Sequence, residues 1–128
     1  MEKIDSLNQV AEFHRTFNAP ILETPQIPSK ERCELRVSLL QEELNELKKA
    51  INDNDLVEIA DALCDLQYVL SGAVLEFGLG EKFVTLFNEV QRSNMSKLGE
   101  DGKPIYREDG KVMKGPNYFK PNFEEILK

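Results

Sequence analysis

The chain has 128 residues, enough for one domain with a real core and too few for two domains of normal size. Its 23 acidic residues outnumber its 16 basic ones, so the formal net charge is −7, which argues against a general nucleic-acid binder with a basic face. The apolar fraction of 41% is ordinary for a globular protein, and no apolar run approaches the roughly 20 residues that span a bilayer.

The N-terminus and the cysteines bear on the cellular compartment. The first residues, MEKIDSLNQVAEFH, are amphipathic and acidic, unlike a signal or transit peptide. Cys33 and Cys64 are too few for a disulfide framework, and both lie in helical patterns where a buried free thiol is expected. We therefore expect a cytoplasmic protein that binds neither nucleic acid nor membrane.

Apolar residues at helical spacing predict two helices in the first half of the chain. The first helix is predicted over about residues 5–18, with its apolar face at Leu7, Val10, Ala11, His14 and Phe17. His14 is expected to be a packed residue and not a ligand. Three prolines then predict an extended connector, and Ser29 is predicted to cap a second helix that ends near Ile51. The apolar face of this second helix combines Leu35, Leu39, Leu40, Leu44, Leu47 and Ile51.

A polar turn at residues 52–55 leads into a third helix, predicted from about Leu56 to Phe77 and ended by Gly78 or Gly80. Because the turn is short, the second and third helices are expected to be antiparallel neighbours. A fourth helix is predicted over about residues 81–97. Beyond Gly99, repeated Asp-Gly-Lys turns predict a loop or small hairpin, with one helical turn near the end. The third helix is apolar almost all round, which favours a homo-oligomer that covers it.

Six acidic side chains lie on parts of the second and third helices that are otherwise largely apolar, so they are expected to face the core; they are Glu42, Glu43, Glu46, Glu58, Asp61 and Asp65. Two pairs have i, i+3 spacing, which places two carboxylates on one helix face; they are Glu43 with Glu46, and Glu58 with Asp61. Oxygen-only ligands favour Mg²⁺, or Mn²⁺ as a substitute, over zinc or copper. Since Mg²⁺ is often shared with substrate phosphates, a phosphorylated substrate is expected.

The run Glu42-Glu43-x-x-Glu46, followed after eleven residues by Glu58-x-x-Asp61, resembles the EExxE…ExxD signature of the all-α nucleoside triphosphate pyrophosphohydrolases. That superfamily includes MazG-like enzymes, dimeric dUTPases and phosphoribosyl-ATP pyrophosphohydrolase. The flanking segments IADALCDLQYVLSGAVLEFG and EVQRSNMSKLGEDGKPIYREDGKVMKGPNY are similar to the MazG-like, phosphoribosyl-ATP-pyrophosphohydrolase-like branch. The resemblance runs from FHRTFNAP to GPNYF and covers nearly the whole chain.

The resemblance implies a fold class and a domain. The fold class is all-α, a four-main-helix MazG-like bundle with an irregular C-terminal tail or small hairpin, assembled as a homodimer or homotetramer. Residues 1–128 are expected to form one domain, with a helical core at 1–98 and a C-terminal flap at 99–128.

The resemblance also implies a set of site residues. The metal ligands would be Glu43, Glu46, Glu58 and Asp61, and Glu42 would match a glutamate that orients or deprotonates the attacking water. Asp65 lies one turn beyond Asp61, and three roles for it stay open. It would hold a third metal position, accept a hydrogen bond from the sugar, or pair with an Arg or Lys of a neighbouring chain. Residues expected to face the substrate from the basic C-terminal third are Arg92, Asn94 and Lys97, although Asn94 equally fits a role in capping the helix.

The implied reaction is Mg²⁺-dependent hydrolysis of a nucleoside triphosphate between the α- and β-phosphates, which yields monophosphate and pyrophosphate. Two alternatives stay open at this point. One is phosphoribosyl-ATP pyrophosphohydrolase of histidine biosynthesis, and the other is a non-catalytic helical oligomer that binds nucleotide or metal.

Overall fold

The computed structural model describes all of the chain, Met1–Lys128. It contains helices and no strand, as the sequence predicts. The helices are α1 (Ser6–Thr16), α2 (Lys30–Asn52), α3 (Leu56–Glu76), α4 (Phe83–Met95) and α5 (Glu124–Leu127), with a 3₁₀ turn at Gly80–Lys82 before α4. The chain divides into two compact units, Met1–Glu81 and Lys82–Lys128, which we describe separately. The single domain over 1–128 and its oligomeric assembly stay predictions.

The boundaries of α2 and α3 follow from side-chain caps. The Ser29 hydroxyl accepts a hydrogen bond from the backbone N–H of Arg32 at 3.4 Å, and the Asp55 carboxylate accepts one from the N–H of Glu58 at 3.1 Å. Each bond satisfies one of the N–H groups that the first turn of a helix leaves without a partner. Both helix starts are therefore confirmed where the sequence predicts them.

In the first unit, α1 and α2 both pack against α3. The core there is small and includes Val10, Ala11 and Leu75, with Leu7 and Ile21 partly buried against it. The proline-rich connector runs along the end of α3, where Leu22 N–H donates to the Leu75 carbonyl at 3.1 Å.

Gly78 ends α3 in the left-handed region, at φ +72°, where a side chain would be strained. A β-carbon there would also stand 1.9 Å from the Thr24 carbonyl oxygen. The connector therefore approaches the end of α3 this closely only because residue 78 is glycine.

A buried ionic cluster joins α2 to the end of α3. The Glu76 carboxylate is only 1% exposed and accepts hydrogen bonds from Arg32 and Arg36, one turn apart on α2. Burial opposes ionisation of this carboxyl, but the two guanidinium groups outweigh it and hold the pKa of Glu76 below its ordinary value. Because the pair joins residues 40 positions apart, it fixes the register of α2 on α3.

His14, the only histidine, packs beside this cluster from α1, and its burial confirms that it is a packed residue. Its Nδ1 lies 3.0 Å from the Pro20 carbonyl, so the neutral ring donates from that nitrogen. Burial lowers the pKa of His14 below its ordinary value, against the opposing effect of this hydrogen bond. Gly72 makes room for the arrangement, because a β-carbon there would meet Arg36 at 2.7 Å and His14 at 3.0 Å.

In the second unit, polar contacts join α4 and the residue before it to the C-terminal segment. The Ser93 hydroxyl donates to the Phe119 carbonyl at 2.8 Å, and the Lys82 ammonium donates to the carbonyls of Ile126 and Lys128. One isolated bridge pairs Tyr106 with Val112, which agrees with the predicted loop or small hairpin.

Several sequence expectations about burial are wrong for the isolated chain. On α2, Leu35, Leu44 and Ile51 are exposed although the periodicity places them on the apolar face. Phe17 lies at the C-terminal end of α1 and is 65% exposed, and Cys64 is exposed where a buried thiol is expected. The helical period identifies a shared face, but one helix neighbour covers only part of it.

No single helix has the length and hydropathy that a membrane span requires, and only Leu56–Glu76 and Gly80–Met95 taken together would meet that test.

Substitution Glu76→Gln is expected to lower the free energy of unfolding by about 3–5 kcal/mol, because it leaves the buried Arg36 without its counter-charge. Urea denaturation measures the loss. The matched control is Glu34→Gln, which removes an exposed ion pair between Glu34 and Lys30 within α2. This substitution should lower the free energy of unfolding by less than about 1 kcal/mol. Equal effects of the two substitutions would contradict the assigned role of Glu76.

The contribution of Glu76 is also expected to depend on pH. Because its folded pKa lies below the ordinary 4.5, the stabilisation is complete above pH 4.5 and is lost as the pH falls through the folded pKa. The difference in unfolding free energy between the wild type and Glu76→Gln, measured from pH 7 downward, should therefore begin to shrink only below about pH 4.5.

Candidate functional site

The acidic pairs predicted from the sequence lie on the two helices that pack most extensively in the first unit, α2 and α3. These helices are antiparallel, since only residues 53–55 connect them and Arg36 near the start of α2 meets Glu76 at the end of α3. Antiparallel packing places the second half of α2 beside the first half of α3. The two acidic pairs therefore occupy the same end of the helix pair.

Electrostatics show that carboxylates from both helices act on one group. The pKa of Glu43 is raised, first by partial burial and then by the negative charges of Asp65, Glu46 and Asp61. Two of those three carboxylates belong to α3. Glu43, Glu46, Asp61 and Asp65 therefore form one cluster of like charge across the two helices, which we call the acidic field. Such a field is unfavourable until a cation neutralises it.

The carboxylates differ in exposure. Glu43 and Asp65 are half-buried in the seam between the helices, whereas Glu46, Glu58 and Asp61 are exposed in the isolated chain. The expectation that the acidic stripe faces the core is thus wrong for these three residues. Most of the site is open to solvent, where a substrate can reach it.

The donor set fits a hard divalent cation, because it consists of carboxylate oxygens with no sulfur or nitrogen ligand. However, no three Asp, Glu, His or Cys side chains converge closely enough to hold a metal ion as they stand. Mutual repulsion keeps unneutralised carboxylates apart, so their side chains would have to turn toward a cation. The four-carboxylate metal site and the identity of its metal therefore stay predictions.

Lys49 is a positive group close to this field. Its ammonium donates to Asp53 at 2.9 Å, and the same bond, together with the charges of Asp53, Glu46 and Glu58, raises its pKa. Both partners of that pair are exposed. Lys49 is thus paired with Asp53 at the edge of the acidic field and makes no ion pair with the predicted metal ligands.

Glu42 directly precedes Glu43 and lies one turn before Glu46 on α2, and its charge also contributes to the raised pKa of Glu43. It is exposed and lines an open concave surface of about 550 Å³ along α2, together with Val37, Gln41 and Asn45. None of the four predicted metal ligands lines this concavity, so the concave surface is not the acidic site. The role of Glu42 toward a water molecule stays a prediction.

The residues predicted to face the substrate from the second unit are engaged to different degrees. Arg92 donates a bidentate pair of hydrogen bonds to the Glu89 carboxylate, at 2.7 and 3.0 Å. Its guanidinium lies 4.3 Å from the centre of the Phe119 ring. Glu89 also accepts the Asn122 N–H at 2.6 Å, and these bonds lower its pKa to about 2. Arg92 therefore has a structural role in this unit, and its role toward substrate stays a prediction.

Asn94 and Lys97 follow on the same helix and the turn after it. The Asn94 backbone carbonyl accepts the N–H of Lys97 at 3.2 Å, so the main chain of Asn94 closes the end of α4. The Lys97 carbonyl accepts the N–H of Gly115 at 2.8 Å, which ties this turn to the C-terminal segment. Their predicted contacts with substrate are untested by this geometry.

Sequence reasoning missed two features of the first unit. One is the buried cluster around Glu76, whose signal is a charged residue inside the apolar run GAVLEFG. The other is Tyr68, which follows Asp61 and Asp65 at i, i+4, i+7 spacing and so shares their face of α3. The spacing of Tyr68 can be read from the sequence, but its contact with Phe13 of α1 cannot, because it depends on how the helices pack.

Comparison with known families gives a match over most of the helical part. The model of a family described as phosphoribosyl-ATP pyrophosphohydrolase matches residues 10–94, which include the whole of α2 and α3 and so the four predicted metal ligands, Glu42 and Asp65. The matched segment also contains Arg92 and Asn94, whereas Lys97 lies beyond it.

Two individual proteins are also similar. An uncharacterised protein of Acanthamoeba polyphaga mimivirus is 30% identical over 131 residues, which cover 99% of this chain and 48% of that protein. The chain thus spans about half the length of this curated relative. A solved structure from Exiguobacterium sp. 255-15, described provisionally as an NTP pyrophosphohydrolase, is 28% identical, covers 94% of this chain and 90% of its own, and has a TM-score of 0.46. Since this TM-score is low, the family assignment rests on the sequence match.

Neutralising one member of the acidic field is expected to stabilise the metal-free protein. Replacing Asp61 by Asn removes a charge that raises the pKa of Glu43, and relief of each like-charge pair contributes a few tenths of a kcal/mol. The thermal midpoint in EDTA at low salt should rise, and the gain should shrink in high salt. Glu12→Gln, an exposed substitution on α1 outside the field, is the control and should leave the midpoint unchanged.

Proposed function

The chain belongs to the phosphoribosyl-ATP pyrophosphohydrolase family, and from this premise we propose that it hydrolyses a nucleoside triphosphate between the α- and β-phosphates. Family membership supports a pyrophosphohydrolase in general terms. The observation that carries the finer proposal is the shared field of carboxylates on α2 and α3, in which charges from both helices raise the pKa of Glu43.

The four residues proposed to hold the metal are Glu43, Glu46, Glu58 and Asp61. Each pair lies on one helix face, and the two helices are fixed to each other at their other end by the buried cluster at Glu76. When bound, Mg²⁺ would supply the positive charge that neutralises phosphate oxygens and would make a coordinated water more acidic. The chain's own contribution is to present hard oxygen ligands on two helices of fixed register, so that only the carboxylate side chains have to reorient toward the cation.

The reaction adds one water across the Pα–O–Pβ anhydride. The water oxygen bonds to the α-phosphorus, the bridging oxygen leaves with the β-phosphate, and a proton is released. Glu42, one turn before Glu46 on α2, is proposed to orient that water or to accept a proton from it. Lys97 and Arg92 are proposed to offset the charge of the leaving pyrophosphate.

Phosphoribosyl-ATP is the second candidate substrate, because the matching family is described by that activity. The bond cleaved and the acidic site would be the same, and only the group attached to the base would differ. A direct competition assay separates the candidates, since the preferred substrate has the higher kcat/KM.

The proposed activity is tested by incubating the protein with a panel of ribo- and deoxyribonucleoside triphosphates and Mg²⁺, followed by product analysis. We expect monophosphate and pyrophosphate in equal amounts. Release of orthophosphate instead would contradict cleavage between the α- and β-phosphates. Binding of triphosphate without any product, with Mg²⁺ or Mn²⁺, would favour the non-catalytic alternative.

Replacing Glu58 by Gln or Asp61 by Asn is expected to lower kcat at least about 100-fold, because each removes a proposed ligand while leaving the helix intact. The control is Asp53→Asn, an acidic residue of the adjoining turn whose partner is Lys49. Its kcat should stay within about twofold of the wild type. Circular dichroism checks the fold of each variant, and full activity in the Glu58 and Asp61 variants would refute the ligand assignment.

A further inference from the structure

Three aromatic side chains in the first unit form a contiguous surface, which we call the aromatic patch: Phe13, Phe17 and Tyr68. The rings of Phe13 and Phe17 are 4.4 Å apart, and the ring of Tyr68 stands edge-on to Phe13 at 5.6 Å. All three remain exposed, at 43%, 65% and 40% for Phe13, Phe17 and Tyr68. The patch therefore presents ring surface to solvent although its members contact one another.

The aromatic patch continues the acidic stripe of α3. Tyr68 lies one helical turn beyond Asp65 and two turns beyond Asp61, on the same face of the helix. Neighbouring α1 brings Phe13 against Tyr68, and Phe17 extends the surface from there. Acidic residues and aromatic rings thus follow one another along a single line.

The spacing along this line suits a nucleotide. At 1.5 Å per residue, the seven residues from Asp61 to Tyr68 span about 10.5 Å of helix. A triphosphate held at the Glu58 and Asp61 end would place its sugar near Asp65 and its base near Tyr68. The order of the groups along α3 then follows the order of phosphate, sugar and base.

We propose that the aromatic patch is the stacking platform for the nucleobase of the substrate, a proposal that rests on the function proposed above. Stacking on exposed rings is tolerant of base identity, because every base has a π-face. The platform therefore accepts several bases and favours purines, whose larger rings overlap more aromatic surface. Asp65, between the platform and the acidic pairs, accepts a hydrogen bond from a sugar hydroxyl.

The size of the aromatic patch favours a base over a protein partner. An aromatic side chain offers about 150–250 Å² in all, so three rings that are at most 65% exposed offer less than about 500 Å². A stable protein interface takes roughly 800 Å² from each partner. The adjoining carboxylates also disfavour a purely apolar partner, whereas a nucleotide that carries its own cation matches both the charge and the rings.

The test compares Phe13→Leu and Tyr68→Leu with the conservative Tyr68→Phe. Both leucine variants should raise KM for a purine triphosphate about 5- to 100-fold with kcat changed less than threefold, because stacking is lost while the acidic site is kept. Tyr68→Phe should retain the wild-type KM. Phe87→Leu is the matched control, since Phe87 is 61% exposed on α4 and lies against Phe83 instead of the patch.

A second readout does not require turnover. The α,β-methylene analogue of 2-aminopurine riboside triphosphate is not hydrolysed between those phosphates, and its fluorescence falls when the base stacks on aromatic rings. The chain contains no tryptophan, so the base signal is read without interference. We expect quenching with the wild type and Phe87→Leu, and little quenching with Phe13→Leu or Tyr68→Leu at the same concentration.

The two readouts separate failure of this inference from failure of the proposed function. Pyrophosphate release by the wild type, with KM and quenching unchanged in both leucine variants, would overturn the platform and leave the activity standing. Quenching that depends on the patch, with no pyrophosphate from any nucleotide, would overturn the activity and support the platform. A leucine variant that changes the native oligomeric mass would assign the patch to an interface between copies, which also overturns the platform.

Discussion

The buried carboxylate of Glu76, shared between Arg32 and Arg36, is the interaction on which the arrangement of the first unit depends. It joins the end of α3 to the start of α2, so the register of the two helices is set there. Removing one partner of such a buried pair leaves an uncompensated charge, which makes any other register of these helices unfavourable. Gly72 completes the arrangement, because it leaves room for Arg36 and His14 at the same level of α3.

The same helix pair has the opposite electrostatic character at its other end. There the carboxylates of α2 and α3 lie near enough for Asp65, Glu46 and Asp61 to contribute, after partial burial, to the raised pKa of Glu43. The paired end holds the helices in place, and the unpaired end carries an excess of negative charge. Because the helices are held in register, a cation that binds at this end would have to reorient only the carboxylate side chains and not the helices. The ion pairs at one end of the helix pair therefore hold in place the helices that carry the acidic residues at the other end.

The helical period and its capping residues could be read directly from the sequence. The cap at Ser29, the start of the third helix after the polar turn at residues 52–55, and the placement of each i, i+3 acidic pair on one face all depend on residues within one turn. Exposure could not be predicted in the same way. Leu44 and Phe17 have apolar side chains at the expected spacing, yet both are exposed, because burial depends on which elements pack across each face.

By itself the sequence determined the four main helices, the cap at Ser29, the antiparallel connection of α2 to α3 and the acidic pairs on those two helices. Only the tertiary structure decided that Glu76 pairs with arginines on another helix, and that Phe13 meets Tyr68 beside the acidic stripe. The physical reason is distance along the chain. Helix formation and capping are local, whereas ion pairs and ring contacts between residues 40 or more positions apart depend on how the helices pack.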